Sequence, residues 1–211
     1  MSFPYARTYD EVNLYMSLRP CVCGETEFEE QTSERIRLGA LQAERFDCYC
    51  LGCARLREFT FQMSDRPREV SFEVRFGPDD EPSRLIDAGE WLAVSQLYGA
   101  AATGVLDEGG IESADELAAV YYTLTSAIAA LDEVVKFIPD DVDVVPEGAF
   151  WTPGGRAVWE ADRSPFTRES LAAGRERLVD RLAEFERRYG DGGDPAPGGR
   201  EPGPPPGGGF D

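Results

Sequence analysis

Residues 25–76 alternate. In "TEFEEQTSERIRL", "ERFDCYC" and "RLREFTFQM" apolar residues partly alternate with charged ones, and "EVSFEVRF" puts Val70, Phe72, Val74 and Phe76 on one face. Successive side chains of a strand point to opposite sides, so a period of two predicts strands with one buried face. Gly39 and Gly52 stand where the chain would turn, which predicts a small antiparallel sheet. The period breaks at "GPDDEPS", residues 77–83, where turn formers and acid gather.

Beyond that break the spacing is helical. "DAGEWLAVSQLYGAAA" places Trp91, Val94, Ser95, Tyr98 and Ala102 on one side, with Asp87 able to cap the start. Ser113 and Glu116 form a capping box, after which Leu117, Tyr121, Leu124, Ile128, Leu131, Val135 and Ile138 recur at steps of four and three up to Pro139. A third helix runs from its cap at Thr167 through Leu171, Leu178, Leu182, Phe185 and Tyr189 to Gly190, with Arg175 interrupting its apolar stripe. Such helices pack as a bundle, and the four-three steps would also suit pairing between subunits. Within "AFWTPGGRAVWEADRSPF", Thr152 and Pro153 read as the cap and first turn of a short helix. The surrounding Phe150, Trp151, Trp159 and Phe166 are expected to close over a core, the alternative being a partner hot spot beside Arg156.

The fold expected is α+β. A β domain spans residues 1–76, a helical domain with a bundle of about three main helices spans 77–189, and "GDGGDPAPGGREPGPPPGGGFD" makes 190–211 a disordered tail, being rich in Gly and Pro with no apolar period to bury.

Charge changes the picture next. The chain has 211 residues and a formal net charge of −19, from 40 acidic and 21 basic side chains. Residues 1–76 carry 13 acids against 10 bases, whereas 77–189 carry 23 against 10. A field of that sign repels phosphate backbones and anionic lipid and favours encounter with basic partners. No run approaches the roughly 20 continuous apolar residues of a spanning helix, and the first residues lack the basic-then-apolar order of a secretory signal. A cytoplasmic protein with no membrane partner is expected.

Candidate chemistry is concentrated in the cysteines. All five lie in "CVCG" and "CYCLGC", and four of them give C-x-C at Cys21 and Cys23, a gap of 26 residues, and C-x2-C at Cys50 and Cys53. Short turns that each present two thiolates can close a tetrahedron around one ion. The pattern resembles the zinc-ribbon superfamily over about residues 18–62. That resemblance implies structural zinc, with Cys21, Cys23, Cys50 and Cys53 as ligands. Its first knuckle is one residue short, and Cys48, on the same face of a strand as Cys50, is an alternative ligand. Reduced, buried thiols without metal are the competing reading.

Catalysis is poorly served. The chain has no histidine, which excludes Ser-His-Asp and Cys-His chemistry and every histidine-held catalytic zinc. "RPCVCGE" is similar to the P-C-x-x-C of cytidine deaminases, but the spacing is short and no H-x-E or C-x-E precedes it. No glycine-rich phosphate loop is present, and Pro146 spoils a calcium loop at Asp140, Asp141 and Asp143. Asp132 and Glu133 are expected on a solvated helix face, where they cannot serve as acid and base.

The function expected is a non-enzymatic, acidic protein-binding module held by structural zinc, an immunity or inhibitor protein for a basic partner being one version. The alternatives are nucleic-acid binding through Arg35, Arg37, Arg45, Arg55 and Arg57, as in a transcription-associated ribbon, and an enzyme using carboxylates that the sequence does not locate.

Overall fold

The computed structural model describes residues 3–38, 41–63, 74–77, 80–111 and 113–190. Strands β2 (Phe28–Leu38), β3 (Leu41–Cys50) and β4 (Leu56–Met63) form the antiparallel sheet that the alternation predicts. A two-residue strand, β1 (Tyr5–Ala6), joins the edge of β4 in parallel, so the sheet is mixed, in the order β1-β4-β3-β2. The strand expected over "EVSFEVRF" falls mostly outside the described residues, as does the turn at Gly39, and residues 74–77 belong to no strand. Phe76 instead packs against Trp91, with ring centroids 4.8 Å apart. The tail, except for Gly190, is likewise outside them.

Among the described residues there are five α-helices rather than about three: α1 (Tyr9–Ser17), α2 (Ala88–Glu108), α3 (Ala114–Val135), α4 (Pro153–Ala161) and α5 (Arg168–Tyr189). The caps fall where the sequence places them. Asp87, Thr152 and Thr167 each accept a backbone N–H in the first turn of their helix, and Ser113 and Glu116 complete a capping box. Helix α1 is the unanticipated one. It is short, and its buried side holds Glu11 beside Val12, Leu14 and Met16, so no clean apolar stripe announces it.

Helix α1 lies on the inner face of the sheet, where Tyr15 meets Phe61 edge-on at 5.6 Å and Tyr9 meets Phe46 at 6.0 Å. From there one continuous core runs through Trp91 on α2 and Val134 on α3 to Phe150, Phe166 and Leu171. The aromatic segment divides accordingly: Phe150 and Phe166 are buried, Trp159 is half-buried beneath the Arg163 guanidinium at 3.9 Å, and Trp151 is exposed. A smaller cluster around Leu106, Leu124 and Phe185 closes the far end of the bundle. Helix α3 is long and apolar enough to cross a membrane, but just under half of it is buried inside the protein, as in a core helix.

The buried face of α3 is turned relative to the stripe of large side chains. Val120, Ala127, Ala130 and Val134 line it with Leu124 and Leu131, while Tyr121 is exposed. Small residues there let α2 approach closely enough for the Ser95 hydroxyl to donate to the Ala127 carbonyl at 2.8 Å. The turn also carries Glu133 inward, to 3 % exposure, correcting the expectation of a solvated carboxylate. Asp132 stays at the surface, paired with Arg175 at 2.7 Å, so the arginine that interrupts the α5 stripe points outward.

Glu133 is buried because Arg7 meets it. The Arg7 guanidinium donates to Glu133 Oε2 at 2.8 Å, to Glu11 Oε1 at 2.7 Å and to the Glu81 carbonyl at 2.7 Å, and Lys136 reaches Glu133 Oε1 at 2.6 Å. Burial pulls the guanidinium down, but Glu11 and Glu133 more than offset it and hold Arg7 above its ordinary value. At the break between sheet and helices, Gly77 is required: a Cβ there would lie 2.3 Å from Arg7 Nη1.

A second close approach joins α2 to α4. Asp87 Oδ1 accepts the Glu90 N–H that caps α2, while Oδ2 accepts both the backbone N–H and the hydroxyl of Thr152, the residue capping α4. The helix starts touch through glycines, a Cβ on Gly155 falling 1.8 Å from Asp87 Oδ1 and one on Gly89 falling 2.2 Å from the Gly155 carbonyl oxygen.

Arg7→Leu should therefore destabilise the fold by about 3–5 kcal/mol in a urea melt, because it strands two buried carboxylates. Arg175→Ala, which breaks a surface pair, should cost no more than about 1 kcal/mol. Gly155→Ala should cost about 1–3 kcal/mol through overpacking against Asp87, read by the same melt.

Candidate metal centre

The register of the sheet brings the cysteine turns together. Phe28, which opens β2, stands opposite Cys50, which closes β3, so the chain entering β2 and the chain leaving β3 are neighbours. The Leu51 N–H donates to the Glu27 carbonyl at 3.1 Å across that junction. Cys21 and Cys23 lie in the turn leading from α1 to β2, and Cys50 and Cys53 at the turn between β3 and β4.

Each turn is fixed by its own backbone. In the first, the Gly24 N–H donates to the Cys21 carbonyl at 2.8 Å, and Gly24 takes φ +92°, a conformation open to glycine. The Cys21 N–H donates to the Glu25 carbonyl at 2.8 Å, while the Glu25 carboxylate accepts the N–H groups of Thr26 and Glu27. Those bonds, Glu27 first, hold Glu25 below the usual carboxylate range. In the second turn the Ala54 N–H donates to the Cys50 carbonyl at 2.8 Å. Gly52 lets the turns meet, since a Cβ there would lie 3.0 Å from Glu25 Cβ and 3.5 Å from Cys23 Sγ.

The sulfurs of Cys21, Cys23, Cys50 and Cys53 all lie within 4.8 Å of one another. Two contacts cross between the turns, at 3.7 Å for Cys21 with Cys53 and 3.5 Å for Cys23 with Cys50. A zinc–sulfur bond of about 2.3 Å puts tetrahedral ligands about 3.8 Å apart, so the spacing fits one ion held by four thiolates. The shortened first knuckle is no obstacle, because the turn from Cys21 to Gly24 aims both sulfurs at the second turn. Cys21 and Cys50 are buried and Cys23 and Cys53 exposed, which places the cluster at the protein surface.

Cys48 is placed elsewhere. It is buried on the inner side of β3, where its Sγ donates to the Arg57 carbonyl at 3.6 Å, and it is not among the four clustered sulfurs. Two of the sheet's arginines are also engaged within the protein. Arg45 pairs with Asp47 at 3.1 Å, and Arg57 donates to the Met16 carbonyl at 3.2 Å with its guanidinium over the Phe59 ring.

Thiols this close titrate together. The Cys23 N–H, then the Cys50 and Cys53 thiols, favour the Cys21 thiolate and bring Cys21 down to about 7 against desolvation. Cys53 is pushed up to about 12: although the Arg55 N–H favours its thiolate, the Cys23 and Cys50 thiols, burial and Cys21 outweigh it. One negative sulfur is thus well supported and further ones repel it, so only a cation makes all four thiolates stable together. Protons and metal then compete for the same sulfurs. Affinity for zinc should fall at least ~10-fold per unit as pH drops below about 7, where Cys21 takes up its proton, as read by competition with a chromophoric chelator; an affinity that does not change with pH would show that the thiols are not the ligands. Compared with family models, with curated proteins and with solved structures, the chain matches none.

Proposed function

We propose that this chain is a non-enzymatic, acidic protein-binding module whose sheet is locked at one end by structural zinc, and that it acts on a basic protein partner, as an immunity or inhibitor protein does. The observation that carries the zinc assignment is the clustering of four sulfurs from two turns within 4.8 Å. Four thiolates complete a tetrahedral shell, so such a site contributes folding free energy and offers no position to water or substrate. Zinc fits better than calcium or magnesium because the ligands are sulfur, whereas those ions take oxygen.

The basic partner follows from charge. At −19 overall the chain is attracted to cationic surfaces and repelled by phosphate backbones. The engagement of Arg45 and Arg57 within the protein supports this reading over nucleic-acid binding by the sheet.

Protein purified under reducing conditions should carry one zinc per chain, and chelation should lower the melting temperature by about 10 °C or more. Serine at position 21, 23, 50 or 53 should each reproduce that loss, whereas Cys48→Ala should lose some core packing and keep its metal. Reduced protein free of zinc would overturn the assignment.

A further inference from the structure

Each turn of the cysteine cluster contributes one buried and one exposed cysteine: Cys21 and Cys23 in the first, Cys50 and Cys53 in the second. Across the turns these are matched crosswise. The sulfur of buried Cys21 lies 3.7 Å from that of exposed Cys53, and the sulfur of exposed Cys23 lies 3.5 Å from that of buried Cys50. Val22 and Leu51, the apolar side chains within the two knuckles, are 80 % and 59 % exposed, so they stand in solvent rather than packing as a lid over the sulfurs.

Cysteines that only pack or hold a fold are closed off and inert, whereas a redox-active sulfur is open to solvent and has a second thiol beside it to resolve its oxidised form. Cys23 and Cys53 meet both conditions, each with its resolving thiol on the opposite turn. Sulfurs in a disulfide stand about 2 Å apart, so each crosswise pair has to close by roughly 1.5 Å. The turns are already in contact, a Cβ on Gly52 falling 3.5 Å from Cys23 Sγ. Cys48 is set apart from this chemistry, being buried with its Sγ on the Arg57 carbonyl.

We propose that the cluster exchanges its metal for disulfides: hydrogen peroxide converts the zinc-held form into one with Cys21 joined to Cys53 and Cys23 joined to Cys50, and the ion is released. In each pair the exposed thiolate attacks a peroxide oxygen, breaking the O–O bond, so that the sulfur becomes a sulfenic acid and hydroxide leaves. The buried thiolate of the other turn then attacks that sulfur, forming the S–S bond and displacing a second hydroxide. Four thiolates, two peroxides and four protons thus give two disulfides, four waters and free zinc, the sulfurs being oxidised and the peroxide reduced. The new bonds join residues 32 and 27 positions apart and tie the same two turns that zinc ties. The end of the sheet stays locked in both forms, and what changes is whether the chain holds its metal.

The proposal rests on the reading of the four sulfurs as a zinc site, and a metal analysis made before any oxidant is added separates the two. The full, zinc-loaded chain is titrated with hydrogen peroxide beside a chromophoric chelator too weak to strip the metal by itself. One zinc should appear for every two peroxides consumed, and the thiols counted in denaturant should fall from five to one. Trypsin cuts at Arg35, Arg37 and Arg45 between the turns, so a crosswise bridge links two peptides and a bridge within a turn does not. Fragmentation of the linked pair should place the bonds at Cys21 with Cys53 and at Cys23 with Cys50. The oxidised chain should melt within ~5 °C of the zinc form and above the chelated one, and dithiothreitol with zinc should restore the starting state. Cys48→Ala should leave the zinc release and the bond map unchanged. Bonds within a turn, Cys21 joined to Cys50, a bridge to Cys48 or between chains, or sulfinic and sulfonic products in place of disulfides would each overturn the proposal. Zinc retained through oxidation would overturn the exchange and leave the structural zinc standing, whereas a chain without zinc at the start would overturn both.

Discussion

The fold hangs on one buried cation. Arg7 sits at the end of the parallel edge strand and spends its guanidinium on Glu11 of α1, on Glu133 of α3 and on the backbone at Glu81. It therefore ties the sheet, the helix lying on it and the central helix of the bundle at a single point. Arg7 and Lys136 against Glu11 and Glu133 make the network neutral, which is what lets four charged groups be largely withdrawn from water. Such a network contributes little net stability compared with an apolar core of the same shape, but it is exacting about geometry, because a displacement that breaks one contact leaves a buried charge without its partner. The continuous core between sheet and helices depends on that registration.

The features legible in the sequence were those with a local cause. A cap such as Ser113 with Glu116 involves residues three apart, and the alternation in β3 and β4 reflects a backbone period, so both survive without tertiary context. What the sequence does not show is decided at long range. Helix α1 is masked because Glu11 sits on its buried side, and Glu11 can be there only because Arg7 binds it. On α3 the large side chains suggest one face, but close packing against α2 selects a neighbouring one lined by Ala127 and Ala130. Glu133 reads from the sequence as solvent-facing for the same reason, since its partner lies 126 residues away in the chain.

The cysteine cluster is legible in part for a related reason. Spacing singles out the four cysteines, yet the linker between Cys21 and Cys23 is one residue shorter than that of the second turn. Glycines resolve the discrepancy: Gly24 takes the positive φ that tightens the first turn, and Gly52 clears the space into which it fits. The role of Cys48 could not be read from its position on the strand, because sharing a face with Cys50 does not bring its sulfur to the cluster.

The shared carboxylate of Asp87 bears on the order in which the helices are secured. Its bonds to Thr152 close a loop of 65 residues, and α3 lies wholly within that loop. Helix α4 thus receives its connection to α2 only when the intervening chain has already returned on itself, a step whose entropic cost must be met before the contact can reward it. A single side chain therefore makes two helices that are far apart in sequence assemble and come apart as one unit, and joins local helix starts into a cooperative transition.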